Sequence, residues 1–328
     1  MPYAGGGPRL YFDRRGRGAP MLWITGFTIS SAVFDPILGL YDERLDCVTY
    51  DNRGAGRSAA PLRPTSIPEL AGDAARVLDA AGVASAHVYG LSMGGMIAQE
   101  MAIRFPERVR GLVLGASTPG GPRAIRPTRA ELAALARGAA GALREPDRAW
   151  LGTMLFSPEF RAAHPDRVRE LLAFFNAHRA KAHGVVAQTW ATVYHDTVAR
   201  LPRIQAPTLV LHGQRDAMAP LGNSRLLAQR IPDAELAVVP AAGHAYPLER
   251  PEASRDLLFD WLDRREPIAP GRPRRGLVGL SEPVTRALGL PIGALRTGRS
   301  LIGVAADRVS RRSHDRGGRD VAPDRRAA

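Results

Sequence analysis

The sequence predicts an α/β protein with a mostly parallel central sheet flanked by helices. Short, continuously apolar runs alternate with longer amphipathic ones, as expected when strands are buried on both faces by covering helices. One interval of about ninety residues, 119–206, breaks that rhythm and is too long for a plain crossover. An inserted helical layer is expected there.

Along the chain, strands are expected at residues 21–25, 47–51, 87–91, 111–115, 208–213 and 235–239. Helices are expected at 32–40, 67–81, 93–105, 221–230 and 251–264. Gly82 and Pro106 stop two of them, and Pro251 suits a first helical turn. Within the insertion, helical stretches fall at 129–143, 147–155, 166–182 and 185–197. The resulting organisation is a core over 1–118 and 207–266, inserted after the fourth of these strands a helical cap over 119–206, and a basic C-terminal extension over 267–328. Residues 267–273 read as a Pro- and Gly-bearing linker into that flexible tail.

Bulk properties narrow the function classes. Hydrophobic residues make up 45% and charged residues 23% of the 328, a globular composition. No apolar run reaches membrane-spanning length, and residues 1–7 lack the basic and apolar regions of a secretory signal. Cys47 is the single cysteine, so an internal disulfide and a cysteine-cluster zinc site are both excluded. It reads as a small buried hydrophobe, and a cytoplasmic location is expected. Of the net charge of +13, residues 267–328 hold 13 Arg against five acidic residues. The basic excess therefore belongs largely to the tail, where contact with an anionic membrane is the minor reading beside a solvated extension. No nucleic-acid partner is expected.

The decisive feature is Gly90-Leu91-Ser92-Met93-Gly94, set between an expected strand and an expected helix. A serine there occupies a sharp, strained turn, and its flanking glycines leave room for neighbouring backbone. As an isolated match the pattern is weak; its context makes it strong. A serine hydroxyl needs a histidine base, itself oriented by a carboxylate. Asp216 lies just past the strand 208–213, and His244 just past the strand 235–239. Both fall at carboxyl ends of strands, where open α/β sheets gather their ligands. His212 and His87 read as structural. A tetrahedral intermediate also needs two backbone donors, and these are assigned to the amides of Met93 and Phe27. Aromatics in the insertion serve either helix packing or a substrate pocket, with Trp150, Phe156, Trp190 and Tyr194 as the pocket candidates.

On these residues the chain, from about Leu10 to Arg265, resembles the α/β-hydrolase superfamily, specifically its cap-bearing serine esterase and lactonase-like branch. The segment Asp51-Asn52-Arg53-Gly54-Ala55-Gly56-Arg57-Ser58 resembles the family's Asp-x-Arg-Gly-x-Gly-x-Ser loop, and Asp51 and Arg53 read as structural. Thr25-Gly26 departs from the His-Gly of many relatives, which raises the question of what supports the oxyanion loop. Serine at position 92, where aspartate would stand, argues against haloalkane dehalogenases and epoxide hydrolases. The resemblance implies cleavage of a carboxylic ester or lactone; the apolar cap favours a substrate with a hydrophobic portion, and the triad chemistry calls for no cofactor and no metal. Thioester or carbon–carbon bond hydrolysis and cofactor-free perhydrolysis use the same triad, and a non-catalytic ligand-binding protein is the rival from another class.

Overall fold

The computed structural model describes residues 3–60, 63–126, 149–178, 180 and 182–265. Backbone contacts divide the chain into Met1–Leu290 and Pro291–Ala328, and every described residue belongs to the first unit. The expected helix at 129–143 and the extension 267–328 lie outside the described residues.

Eight strands form one sheet: β1 (Tyr3–Ala4), β2 (Leu10–Gly16), β3 (Ala19–Ile24), β4 (Leu45–Tyr50), β5 (Ala86–Leu91), β6 (Val109–Gly115), β7 (Thr208–Gly213) and β8 (Ala234–Val239). Their order is β1-β2-β4-β3-β5-β6-β7-β8. From β4 to β8 all neighbours are parallel, whereas β1 and β2 pair antiparallel at one edge. Those two strands were not anticipated. Asp13, Arg14 and Arg15 interrupt the apolar signal of β2, which β1 covers only at Leu10 and Tyr11 and which is otherwise half open to water. Arg14 Nε donates to Asp46 Oδ1 at 2.8 Å across the antiparallel pairing of β2 with β4.

Side chains alternate between two cores. Leu22 and Ile24 of β3 pack on one face with Leu70, Val77, Ile97 and Met101. Met21 and Trp23 pack on the other with Tyr89, Leu258 and Trp261. Cys47 is buried in the second core, and burial pushes its thiol up to about 12.

Several helices differ from expectation in extent. Residues 32–40 form a 3-10 turn, Ser31–Phe34, and a short helix, Asp35–Leu38. Between β6 and β7 the described helices are Ala149–Leu155, Pro158–Ala163, Pro165–Ala177 and Ala182–Val193. The stretch expected as a helix over 166–182 thus ends at Ala177. Pro158 and Pro165 each open a new helix, Ser157 capping the first by accepting from Phe160 N at 3.1 Å.

Candidate active site

The register puts the carboxyl ends of β3, β5, β7 and β8 at one rim, with Ile24 opposite Gly90 and Gly213 opposite Val239. Ser92 sits at the β5 end with φ 57° and ψ −117°, a conformation that L-residues with a side chain rarely adopt. The turn is held by backbone. Ser92 N donates to Gly115 O at 2.7 Å, and Ser117 Oγ donates to Ser92 O at 2.9 Å. A Cβ at Gly90 would lie 2.2 Å from Gly94 O, and one at Gly94 would lie 2.1 Å from Ile24 O. Only glycine fits at either place, which is the steric content of the motif.

Asp216 follows β7 with its side chain 1% exposed. Its Oδ1 accepts from Met218 N and Ala219 N, each at 2.8 Å, which fixes the carboxylate plane. Its Oδ2 lies 2.8 Å from His244 Nδ1. An ionised carboxylate only accepts, so Nδ1 carries the proton and the basic lone pair is on Nε2. His212 Nε2 is 3.3 Å from the same oxygen, but its ring is spoken for: Nε2 lies 2.9 Å from Ala219 O and Nδ1 2.8 Å from Ser224 Oγ. Burial lowers its pKa, keeping it neutral. His87 is likewise buried, and burial lowers its pKa to about 4.

Ser92 and His244 line one cavity of about 290 Å³ together with Phe27, Val33, Leu91, Trp150, Leu155, Phe175 and Leu248. Its wall is overwhelmingly apolar. Asn176 and Thr28 are polar members, and no Asp, Glu, Lys or Arg among the described residues lines it. Trp150 therefore stands where the pocket was expected. Phe156 does not; it is 1% exposed and packs against Phe160 and Phe175 in the core. Trp190 and Tyr194 do not either. The helix Ala182–Val193 buries its Ala187, Gln188 and Ala191 face, leaving Trp190 52% exposed on the other and Tyr194, just past the helix end, 67% exposed. Those two rings line a separate cleft with Glu69, Glu100 and Arg200.

The loop to which the sequence assigns the oxyanion donor Phe27 runs from Thr25 to Ser30. Gly26 comes so close to the serine that a Cβ on it would meet Ser92 Cβ at 3.4 Å. Met93 opens the helix Met93–Arg104, so its amide has no place in the helical ladder. Thr25 supplies the loop with support of its own: its Oγ1 donates to Ile29 O at 3.1 Å and accepts from Asn52 Nδ2 at 3.1 Å. Asn52 also donates to Thr25 O at 3.2 Å. The sequence pointed to Asp51 and Arg53 in this segment as structural but gave no sign of the role of Asn52. Asp51 and Arg53 are structural: Asp51 Oδ1 accepts from Ser31 N and Oγ at 2.7 Å, and Arg53 grips Asp73 through two hydrogen bonds.

Behind His244, Glu249 Oε1 accepts from Gly243 N at 2.7 Å and Ser157 N at 3.0 Å, while Oε2 accepts from Ser157 Oγ at 2.7 Å. A buried carboxylate thereby ties the histidine loop to the inserted helices. Among the described residues, no group of three His, Cys, Asp or Glu is arranged to hold a metal ion, and no helix is long and apolar enough to cross a membrane.

Sheet order, a strained serine and a carboxylate-held imidazole on one rim define a hydrolase class, and the comparisons agree. The family model described as alpha/beta hydrolase fold matches residues 19–251. A protein of Azorhizobium caulinodans assigned as the carbamate hydrolase RutD is 34% identical over 263 residues, 79% of this chain and 97% of its own. A poly(3-hydroxyalkanoate) depolymerase of Ectopseudomonas oleovorans is 30% identical over 272 residues, 78% of this chain and 88% of its own. Among solved structures, an N-acyl homoserine lactone degrading enzyme superposes with TM-score 0.67 at 31% identity, covering 78% of this chain and 98% of that one. The chain belongs to the α/β-hydrolase family and is a hydrolase.

Proposed function

We propose that this hydrolase cleaves a carboxylic ester or lactone through an acyl-enzyme on Ser92. The single observation that carries the reading is the 2.8 Å contact of His244 Nδ1 with Asp216 Oδ2, beside a strained Ser92 in the same cavity. In this reading Ser92 Oγ attacks the carbonyl carbon and His244 Nε2 takes its proton. Asp216 stabilises the imidazolium, and the Phe27 and Met93 amides hold the tetrahedral oxyanion. His244 then protonates the departing alkoxide and activates the water that releases the acid.

The wall of the cavity supports an uncharged, hydrophobic substrate. With no charged side chain from the described residues in its lining, it would leave a charged acyl group desolvated and unpaired. An uncharged, hydrophobic acyl or ring portion is favoured. The named activities of the three relatives fit, since carbamates, polyester linkages and acyl homoserine lactones all present a neutral carbonyl carbon with an oxygen or nitrogen leaving group.

A nitrophenyl ester series of increasing acyl length tests this. Burial of each methylene contributes about 0.8 kcal/mol, so kcat/KM should rise roughly three- to fourfold per carbon until the cavity is filled. A matched ester bearing a free carboxylate on the acyl chain should react far more slowly. Equal rates for the charged and neutral esters, or turnover surviving in Ser92→Ala, would overturn the proposal.

A further inference from the structure

The oxyanion loop contains a second strained residue. Thr28, next to the proposed donor Phe27, has φ 60°, and a β-branched residue there does not hold that conformation without outside constraint. Both of its backbone polar groups are held by the insertion, one by the helix Ala182–Val193 and the other by Ala180 in the connection before that helix. Thr28 N donates to Gln188 Oε1 at 2.7 Å, and Thr28 O accepts from Ala180 N at 2.7 Å. Ser30 N donates to His178 O at 3.1 Å. The amide of Gln188 is used at both ends, because its Nε2 donates to Arg53 O at 2.9 Å.

The anchor for this bridge is rigid. Arg53 is locked onto the buried carboxylate of Asp73. One helical turn before Gln188, Gly184 lies against Gly54 so closely that a Cβ on it would sit 1.9 Å from Gly54 O. Residues four apart share a helix face, so the bare backbone contact at Gly184 brings Gln188 to the loops. Gln188 is fully buried and does not line the catalytic cavity.

We infer that Gln188 is a positioning residue for the oxyanion hole: it bridges the Arg53 carbonyl to the Thr28 amide and so fixes the peptide next to Phe27. This rests on the proposed acyl-enzyme reading, because only there does the Phe27 amide stabilise charge. Fixing the Phe27–Thr28 peptide limits the backbone rotation by which the neighbouring Phe27 N–H could turn away from the carbonyl oxygen. Without Gln188, Thr28 can relax from its left-handed conformation and take that donor with it. The ground-state ester, gripped by the apolar wall, would still bind.

Gln188→Met removes both hydrogen bonds at nearly constant volume, and Gln188→Ala is the second variant should the thioether fail to pack. Each is normalised by active-site titration with a fluorophosphonate. Loss of an oxyanion donor lowers kcat by about 10²–10³-fold, so a donor left in place but loosened should cost roughly 10- to 100-fold. KM for a neutral butyrate ester should stay within about twofold, as expected for a contact felt only in the transition state. Affinity for an alkyl boronic acid, whose tetrahedral adduct on Ser92 places an oxygen in the same hole, should fall with kcat. A purely structural role would lower thermal stability while leaving kcat per titrated site and boronate affinity unchanged, and that result overturns the inference. If instead the wild-type enzyme neither turns over an ester nor reacts with the fluorophosphonate, the acyl-enzyme reading has failed, a separate and recognisable outcome.

Discussion

Glu249 offers a perturbation whose size can be worked out from its contacts. It is 4% exposed and accepts from Gly243 N, Ser157 N and Ser157 Oγ. Glu249→Ala leaves two backbone donors without their acceptor, at about 1–3 kcal/mol for each buried group, so roughly 2–6 kcal/mol in all. For a domain of this size each kcal/mol moves the midpoint by about 2–4 °C, which predicts a fall in Tm on the order of 5–20 °C. Glu249→Gln keeps one oxygen able to accept both amides and should lose far less. Burial raises the Glu249 carboxyl pKa, and the sign of the pH effect follows. Above the unfolded value of about 4.3, the native protein holds this proton more tightly than the unfolded chain. Wild-type stability therefore declines through this group as pH rises from that value through the raised native pKa, then levels off. Glutamine does not titrate, so the stability of Glu249→Gln relative to wild type should improve across that window. Thermal unfolding of the three proteins between about pH 4 and pH 8 reads both effects. An alanine variant within 2 °C of wild type, or a Gln-minus-wild-type difference independent of pH, would refute the reasoning.

Other outcomes follow from single contacts. Trp150→Ala should raise KM for a hydrophobic ester roughly five- to tenfold, while Trp190→Ala and Tyr194→Ala should leave kcat/KM within about twofold, because only Trp150 lines the catalytic cavity. Gly94→Ala drives a Cβ toward Ile24 O, so activity should disappear and Tm fall by several degrees; an active, stable variant would contradict the packing of the elbow. Cys47, with its thiol pushed up to about 12 by burial, should resist an aromatic disulfide reagent in the native protein and react once the chain is unfolded.

What the sequence made legible was whatever sterics or strand ends dictate locally. Glycines flanking Ser92 announce a backbone approach that no side chain tolerates, and Asp216 and His244 each follow an apolar run that forms a strand, the first fully buried and the second half-buried at the sheet's edge. Phase and distance were harder. Trp190 and Tyr194, four residues apart, must share a helix face, but spacing does not say whether that face meets the core or water. Ala187, Gln188 and Ala191 took the buried side. Phe156 was legible as apolar, though not as core rather than pocket. Gln188 carried no signal: a polar residue in a helix of Ala, Val and Thr gives no hint of a partner 160 positions away. Glu249 was hidden similarly, since its contacts reach across 92 residues to Ser157. The charged β2 shows the converse difficulty: its exposed ionic residues interrupt the apolar pattern by which the other strands are read.

The central claim is that Asp216 and His244 make the hydroxyl of Ser92 a nucleophile. Intact-protein mass spectrometry after brief exposure to a fluorophosphonate tests it directly. One adduct per chain, mapped to Ser92, greatly slowed by His244→Ala and Asp216→Asn and absent in Ser92→Ala, is the predicted result. An unlabelled wild-type chain, or an adduct on any other residue, would contradict it.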